Sequence, residues 1–377
     1  MKPRALIVGG GIAGLSCAQI LAIAGWNIEV WGEPSASSSA LMLNDVTCHL
    51  LQDMWRDENN LFRHSHRLHE RRVCWGGSRE ASVILERSLV IQRDALARNL
   101  AMLLARRHSD SVRLTNTAFQ TLQSAEPKEF RRYLREQKYL WVIDASGRGV
   151  QFAKILGGVV RRSYGRRCVI STEALLVRES DRNTCWIESL PDGWLFLAPV
   201  EDGHAVLQAM VSRTPTDPSS VLLGLLEQSM MREICVINSD HPVQSFDAAP
   251  QISEPLCGPG WIAIGEAAVS LDPVCGDGVG YATRGAALAA GVINGIGSGL
   301  SPEDCFSHYR QRLCNTFSAH LRSVLNYYNN AFSSLAWQSE IETMKDGFKR
   351  YADARPLKFA LIDSKLVSAD LFSGSYS

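Results

Sequence analysis

Gly9, Gly11 and Gly14 have the spacing that brings backbone against a phosphate. Gly9 allows a tight turn. Gly11 has no side chain to keep a pyrophosphate away. Gly14 lets a following helix pack on a sheet. Ile12 and Ala13 fall in the first turn of that helix, where free N–H groups and a partial positive charge meet an anion. A second set of residues lies far along the chain. Gly265-Glu266 is followed by Asp272-Pro273, and Gly276, Gly278, Val279 and Gly280 open another helix. Its bare N–H groups would stabilise negative charge on whatever lies against them. Two further places stand between these sets. Arg93 is a cation at a strand–helix junction, a good place for a contact to a cofactor, and Asp144 with Gly147 follows an apolar strand directly, which suggests chain close to a ligand. Taken alone, the first reads as a surface arginine and the second as a simple turn.

The elements around these residues decide their meaning. Ala5–Val8 is an all-apolar run, the composition of a strand buried on both faces. Leu15–Ala24 reads as a helix of small and apolar residues, stopped by Gly25, and Ile28–Trp31 as a second strand. Strand, glycine turn, helix and strand together turn the glycine spacing into a dinucleotide-binding reading. A glycine turn that binds nothing is the alternative. The acid that usually closes the second strand and holds a ribose hydroxyl falls on Gly32; the next residue, Glu33, is the candidate.

The remaining chain reads as one α/β frame with an insertion. A helix is expected over Thr47–Trp55, a solvated basic and histidine-rich face over Arg63–Arg72, and a strand, turn and return strand over Val73–Leu85. Leu96, Leu100, Leu103 and Leu104 mark a helix after Arg93, and the charged segment Glu126–Lys138 reads as a hairpin edge. From Arg161 to Phe246 the period changes to that of an antiparallel sheet, with turns at Pro191-Asp192-Gly193 and Glu201-Asp202-Gly203. Trp186 and Trp194 there either line a pocket or fill a core. The fold class expected is α/β: a Rossmann-type dinucleotide-binding domain over 1–160 and 255–300, an inserted antiparallel sheet over 161–254, and a helical region over 301–377.

With 39 basic and 39 acidic residues in 377, the charge gives no reason to expect nucleic acid or an anionic membrane. The 10 cysteines contain no C-x-x-C pair and read as reduced thiols, neither a disulfide framework nor a metal site. The first strand starts almost at the initiator Met, leaving no room for a signal peptide, and no apolar run reaches membrane-spanning length. The expectation is a soluble cytoplasmic protein.

Gly9-x-Gly11-x-x-Gly14, Arg93, Asp144-Ala-Ser-Gly147-Arg148 and Gly265-Glu266-Ala-Ala…Asp272-Pro273…Gly276-Asp277-Gly278 resemble, in order and spacing, the FAD-dependent monooxygenases of the aromatic-hydroxylase type. Glu188…Gly193-Trp194…Pro199, with Tyr309…His320-Leu321…Tyr327-Tyr328, is similar to the branch that also holds the flavin-dependent halogenases. Within it the chain looks most like the modifying flavoproteins of tryptophylquinone biogenesis. The resemblance implies FAD as cofactor. Gly9, Gly11 and Gly14 would hold the pyrophosphate and Arg93 the ribityl and phosphate region. Glu266 stands where the family has Asp at the ribityl chain. Asp272, Pro273 and Gly276–Gly280 would lie beside the flavin ring. It also implies hydroxylation of an aromatic ring through a flavin C4a-hydroperoxide, on a tryptophan of a partner precursor oxidase. A free small aromatic or amine as substrate, and a flavin-binding chaperone without turnover, stay open. His49 and Cys275 are the pocket side chains considered for catalysis, against the competing reading of a buried histidine and a buried thiol. The Asp144 motif lacks the usual Asp-Gly form, which argues against NAD(P)H. The chain has no W-x-W-x-I-P stretch and no lysine between Lys2 and Lys128, which argues against a halogenase.

Overall fold

The computed structural model of the protein describes residues 2–32, 40–78, 80–115, 127–352 and 357–369. Its first sheet has six strands in the order Cys257–Gly258, Trp261–Ala263, Trp141–Asp144, Arg4–Val8, Asn27–Trp31 and Val112–Thr115. Arg4–Val8 lies between two parallel partners, which is why Ala5, Leu6, Ile7 and Val8 are all fully buried. The helix Ile12–Ile23 packs between this sheet and the helix Gly278–Gly297. Its run of Ala, Ser, Cys and Gly permits that close approach on several sides, and its residues 13–22 are all buried.

A nine-stranded sheet stands beside the first. It runs Cys235–Ile237, Cys168–Leu176, His204–Val211, Gly193–Pro199, Thr184–Leu190, His66–Cys74, Ser82–Gln92 and Ala40–Asn44, with Gln244–Asp247 also paired to Cys168–Leu176. The three middle pairings of 168–211 are antiparallel, as their turn residues require. The sheet is wider than the period change alone suggests, because Thr184–Leu190 pairs in parallel with His66–Cys74 and so recruits three strands from the first part of the chain. Val160–Ser163, Gln251–Glu254 and Val269–Ser270 form a small third sheet.

The helix Pro302–Ala331 starts as its residues demand. Ser301 accepts a hydrogen bond from the Asp304 N–H at 3.3 Å, Pro302 takes the first helical position, and Glu303 and Asp304 follow. The helix Leu335–Tyr351 returns along it.

Two expectations are corrected. The segment expected as a hairpin edge holds the helix Pro127–Glu136, because Phe130 and Leu134 put both apolar side chains on one helical face. The basic run, expected as a solvated face, lies mostly on the strand His66–Cys74, where Arg67 and His69 are exposed and Leu68 and Cys74 buried. The tail does not stay helical: Phe359–Ile362 and Lys365–Ser368 close it as an antiparallel hairpin.

Candidate functional site

The C-terminal ends of the first sheet's strands converge. The Gly9 N–H donates to Trp31 O at 2.7 Å, the Ala145 N–H to Val8 O at 2.7 Å, and the Ile264 N–H to Asp144 O at 2.8 Å. Ligands of open α/β sheets bind at this end. The three glycines of the first turn serve two purposes. Gly9 has φ +121°, and a Cβ on it would stand 2.1 Å from Ala145 O. A Cβ on Gly14 would stand 2.0 Å from Gly9 O. Those two are bare because the backbone packs on itself. Around a Cβ on Gly11 no atom of the described residues lies within 4 Å, so among them this glycine borders open space. The helix that begins at Ile12 has no side-chain cap and no acid in its first turn, and its first bond runs from the Leu15 N–H to Gly11 O at 2.9 Å. The N–H groups of Ile12, Ala13 and Gly14 precede that bond and are the anion-binding end.

The second glycine stretch meets the first. Gly265 has φ +56°, and a Cβ there would lie 2.7 Å from the Cβ of Ala13. Glu266 follows and is half exposed, with its Oε1 3.6 Å from Arg148 Nε. Arg148 also reaches Ala249 O at 2.9 Å. Arg161 holds the turn from below, donating to Ala267 O at 2.9 Å, to Ser253 and Gln251, and to Ser270. Burial, and then the nearby Arg148, lower its guanidinium to about 10.

Asp144 is turned away from this space. It is 1% exposed; its Oδ1 accepts from the Ser146 N–H and hydroxyl, and its Oδ2 from the N–H groups of Phe152 and Ala153 at 2.9 and 2.7 Å. The carboxylate thus caps the helix Gln151–Gly157 from within and buttresses the site without facing it. Gly147, at φ +70°, has open space around it. Gly32 has φ +103° and lies against the glycine turn, a Cβ there being 3.6 Å from Gly10 N. Glu33 lies outside the described residues. Arg93 is exposed as the first residue of the helix Arg93–Arg107, and among the described residues no carboxylate pairs with it.

Asp272 anchors the next segment from a fully buried position. Its N–H donates to His320 Nε2 at 2.8 Å. Its Oδ1 accepts from the Val274 N–H at 3.0 Å and the Tyr328 hydroxyl at 2.9 Å, and its Oδ2 from Arg167 Nε at 2.9 Å. Arg167, equally buried, donates Nη1 to Glu340 Oε2 at 2.7 Å. Trp194 donates Nε1 to the Tyr328 hydroxyl at 3.1 Å, so this tryptophan is buried structure, not pocket lining. Trp186 is buried too, beneath the Arg72 guanidinium. Pro273–Cys275 is a tight turn, Gly276 has φ +64°, and Gly278–Gly297 begins without a side-chain cap. Val279 is buried, whereas Gly276 and Gly278 are exposed.

Of the two side chains considered for catalysis, neither is primed. Burial, and then Asp272 and Asp277, push the Cys275 thiol up to about 12, so it is not a thiolate near neutrality. His49 is neither buried nor drawn inwards; it is exposed on the helix Asp45–Trp55.

No protein-family model matches the chain, and no curated protein matches it in sequence. Solved structures do. The peptidyl tryptophan dihydroxylase QhpG, essential for tryptophylquinone cofactor biogenesis, is 17% identical, with 98% of this chain and 86% of that one covered at a TM-score of 0.68. The myxobacterial chondrochloren halogenase CndH, an FAD-dependent halogenase, is 17% identical over 94% of this chain and 90% of its own, at 0.71. The p-nitrophenol 4-monooxygenase PnpA from Pseudomonas putida is 12% identical over 94% and 99%, at 0.68. The chain has the fold of the flavin-dependent halogenases and monooxygenases.

In this flavoenzyme fold, two site residues escape a reading of the sequence. Arg167 stands in the run Arg166-Arg167-Cys168, which looks like surface. Glu340 carried a signal: it lies on the apolar stripe of its helix with Trp337, Ile341 and Met344. A carboxylate on such a stripe needs a buried cation.

The fold also hides two neutral histidines, and they set a pH dependence. Burial lowers both His320 and His308 from 6.5 to about 4; Arg312 adds to this at His308, whereas at His320 Asp272 opposes it before Arg167 lowers it further. A base whose pKa is depressed on folding stabilises fully above 6.5 and loses that contribution as pH falls towards 4, because the unfolded chain binds the proton first. Each is worth on the order of 3 kcal/mol across that window. Glu340, raised by burial, works in the opposite sense. Urea midpoints should therefore fall between pH 6.5 and 4. His308→Leu should flatten that slope and raise the neutral-pH midpoint, since among the described residues neither ring nitrogen of His308 has a partner.

Proposed function

We propose that the chain is an FAD-dependent monooxygenase that hydroxylates an aromatic ring. The observation that carries this reading is the approach of Gly265 to Ala13, which brings the turn before the second glycine stretch against the anion-binding end of the first helix. The residues fit FAD. Gly11 leaves the space a pyrophosphate needs, and the N–H groups of Ile12, Ala13 and Gly14 would hold it. Arg93, which no carboxylate pairs with among the described residues, would serve as a cation for the phosphate and ribityl region. Glu266, steadied by Arg148, would accept from ribityl hydroxyls. Pro273 and the N–H groups of Gly276–Gly280 would line the ring and favour its reduced, negatively charged form. FAD supplies the electron transfer and the activation of O2. The protein's part is to bind, orient the aromatic and keep water away.

The substrate we favour is a tryptophan side chain of a partner precursor oxidase, modified in the cytoplasm during tryptophylquinone formation. The motif resemblance and the similarity to a peptidyl tryptophan dihydroxylase support it. The similarity to a p-nitrophenol monooxygenase supports a free small aromatic as the second reading. Affinity capture from the producing cells, with intact mass and peptide mapping of what is retained, separates them. The expected result is one oxidase-like precursor whose tryptophan gains oxygen only when this protein is present. Specific turnover of a free aromatic, with no protein captured, would overturn the protein substrate.

A further inference from the structure

We propose that Arg167, acting with Tyr328, is a positioning residue for the segment 272–280 that faces the flavin ring; this rests on the FAD reading above. Asp272 begins that segment, and its polar contacts other than the one to the Val274 N–H come from elsewhere in the fold. His320 and Tyr328 come from the helix Pro302–Ala331, and Glu340 from Leu335–Tyr351. Arg167 directly precedes the strand Cys168–Leu176, and Trp194 lies in Gly193–Pro199 of the same sheet. The Asp272 carboxylate then sets the Pro273–Cys275 turn through its bond to the Val274 N–H. The helix Pro302–Ala331 therefore reaches the Asp272 carboxylate directly through Tyr328, the helix Leu335–Tyr351 reaches it through Arg167, and the large sheet through Trp194 on Tyr328; Asp272 begins the turn leading to the second glycine helix.

The chemistry points to positioning. Apolar side chains of similar volume usually hold a helix pair at least as well as a buried ionic set, and without its desolvation cost. Here one guanidinium lies between two carboxylates, Asp272 and Glu340, all of them buried. Arg167 spends its planar fork on three directions: Nε to Asp272, Nη1 to Glu340, and Nη2 to Tyr164 O at 3.3 Å. That geometry fixes the orientation of the Asp272 carboxylate as well as its charge. A lysine would keep the charge and lose the fork.

The test uses the full-length chain carrying Arg167→Lys and, separately, Tyr328→Phe. Amide hydrogen exchange of the apo-protein is followed at 273–280 and across the two C-terminal helices. FAD affinity, the visible spectrum and the midpoint potential of bound flavin are measured alongside. The expected result is exchange about tenfold faster at 273–280, the helices and the strand Arg4–Val8 unchanged, FAD bound about tenfold more weakly and its potential shifted. Faster exchange spread over residues 302–351 with 273–280 unchanged, or unaltered affinity and potential in both variants, would overturn the proposal. Should the wild-type chain bind no FAD, the FAD reading fails, while the exchange pattern at 273–280 still decides whether Arg167 positions that segment.

Discussion

Gly11→Val is expected to leave the fold intact and abolish FAD binding. The backbone at Gly11 has φ −83° and ψ −179°, an extended conformation open to any residue. A Cβ there meets no atom of the described residues within 4 Å, so the apo-protein should melt where the wild type does. The valine methyls would instead occupy the space assigned to the pyrophosphate. Affinity for FAD should fall at least ~100-fold, the scale of losing several charge-assisted hydrogen bonds. Gly14→Ala is the contrasting case: its Cβ would stand 2.0 Å from Gly9 O, a clash with backbone that no rotamer relieves, so that variant should lose stability itself. Calorimetry without ligand and flavin fluorescence titration with it separate the two glycines. Equal effects of both substitutions on melting would remove the distinction between a packing glycine and a binding glycine.

Arg167→Ala should be the most destabilising substitution outside the glycine turn. It leaves two buried carboxylates, Asp272 and Glu340, without their cation. Breaking a buried pair by removing one partner costs about 3–5 kcal/mol. That is a large part of the roughly 5–15 kcal/mol by which a folded domain is stable. Combining it with Glu340→Gln removes one stranded charge and should recover part of the loss. Urea unfolding at pH 7 measures both, and a cost below about 1 kcal/mol would show that the triad is not electrostatically coupled.

The sequence announced the frame because its signals are local. The apolar run Ala5–Val8, the glycine spacing and the stop at Gly25 each depend on neighbouring residues, and the strand, turn and helix form where they predict. The same holds for the strands between Cys168 and Val211, each bounded by turn residues. What the sequence hid is non-local. Nothing near Thr184–Leu190 indicates that it pairs in parallel with His66–Cys74, more than a hundred residues earlier. Asp144 looked like a ligand contact because it follows a buried strand. Only the folded chain brings the N–H groups of Phe152 and Ala153 back onto its carboxylate. Arg167 and Asp272 are 105 positions apart and meet only in the folded chain. The segment 126–138 misled because dense charge masks Phe130, Tyr133 and Leu134, and their spacing of three and four, not two, was the informative feature.

The central claim is that the glycine turn and the segment around Gly265 form one site for a flavin dinucleotide. The most direct test is to titrate the purified chain with FAD and, separately, with FMN, following quenching of flavin fluorescence. FMN has the isoalloxazine ring but neither the pyrophosphate nor the adenosine half that the first helix would grip. The expected result is saturable one-to-one binding of FAD, with FMN at least ~100-fold weaker. Equal affinity for the two flavins, or no binding of FAD by a folded chain, would contradict it.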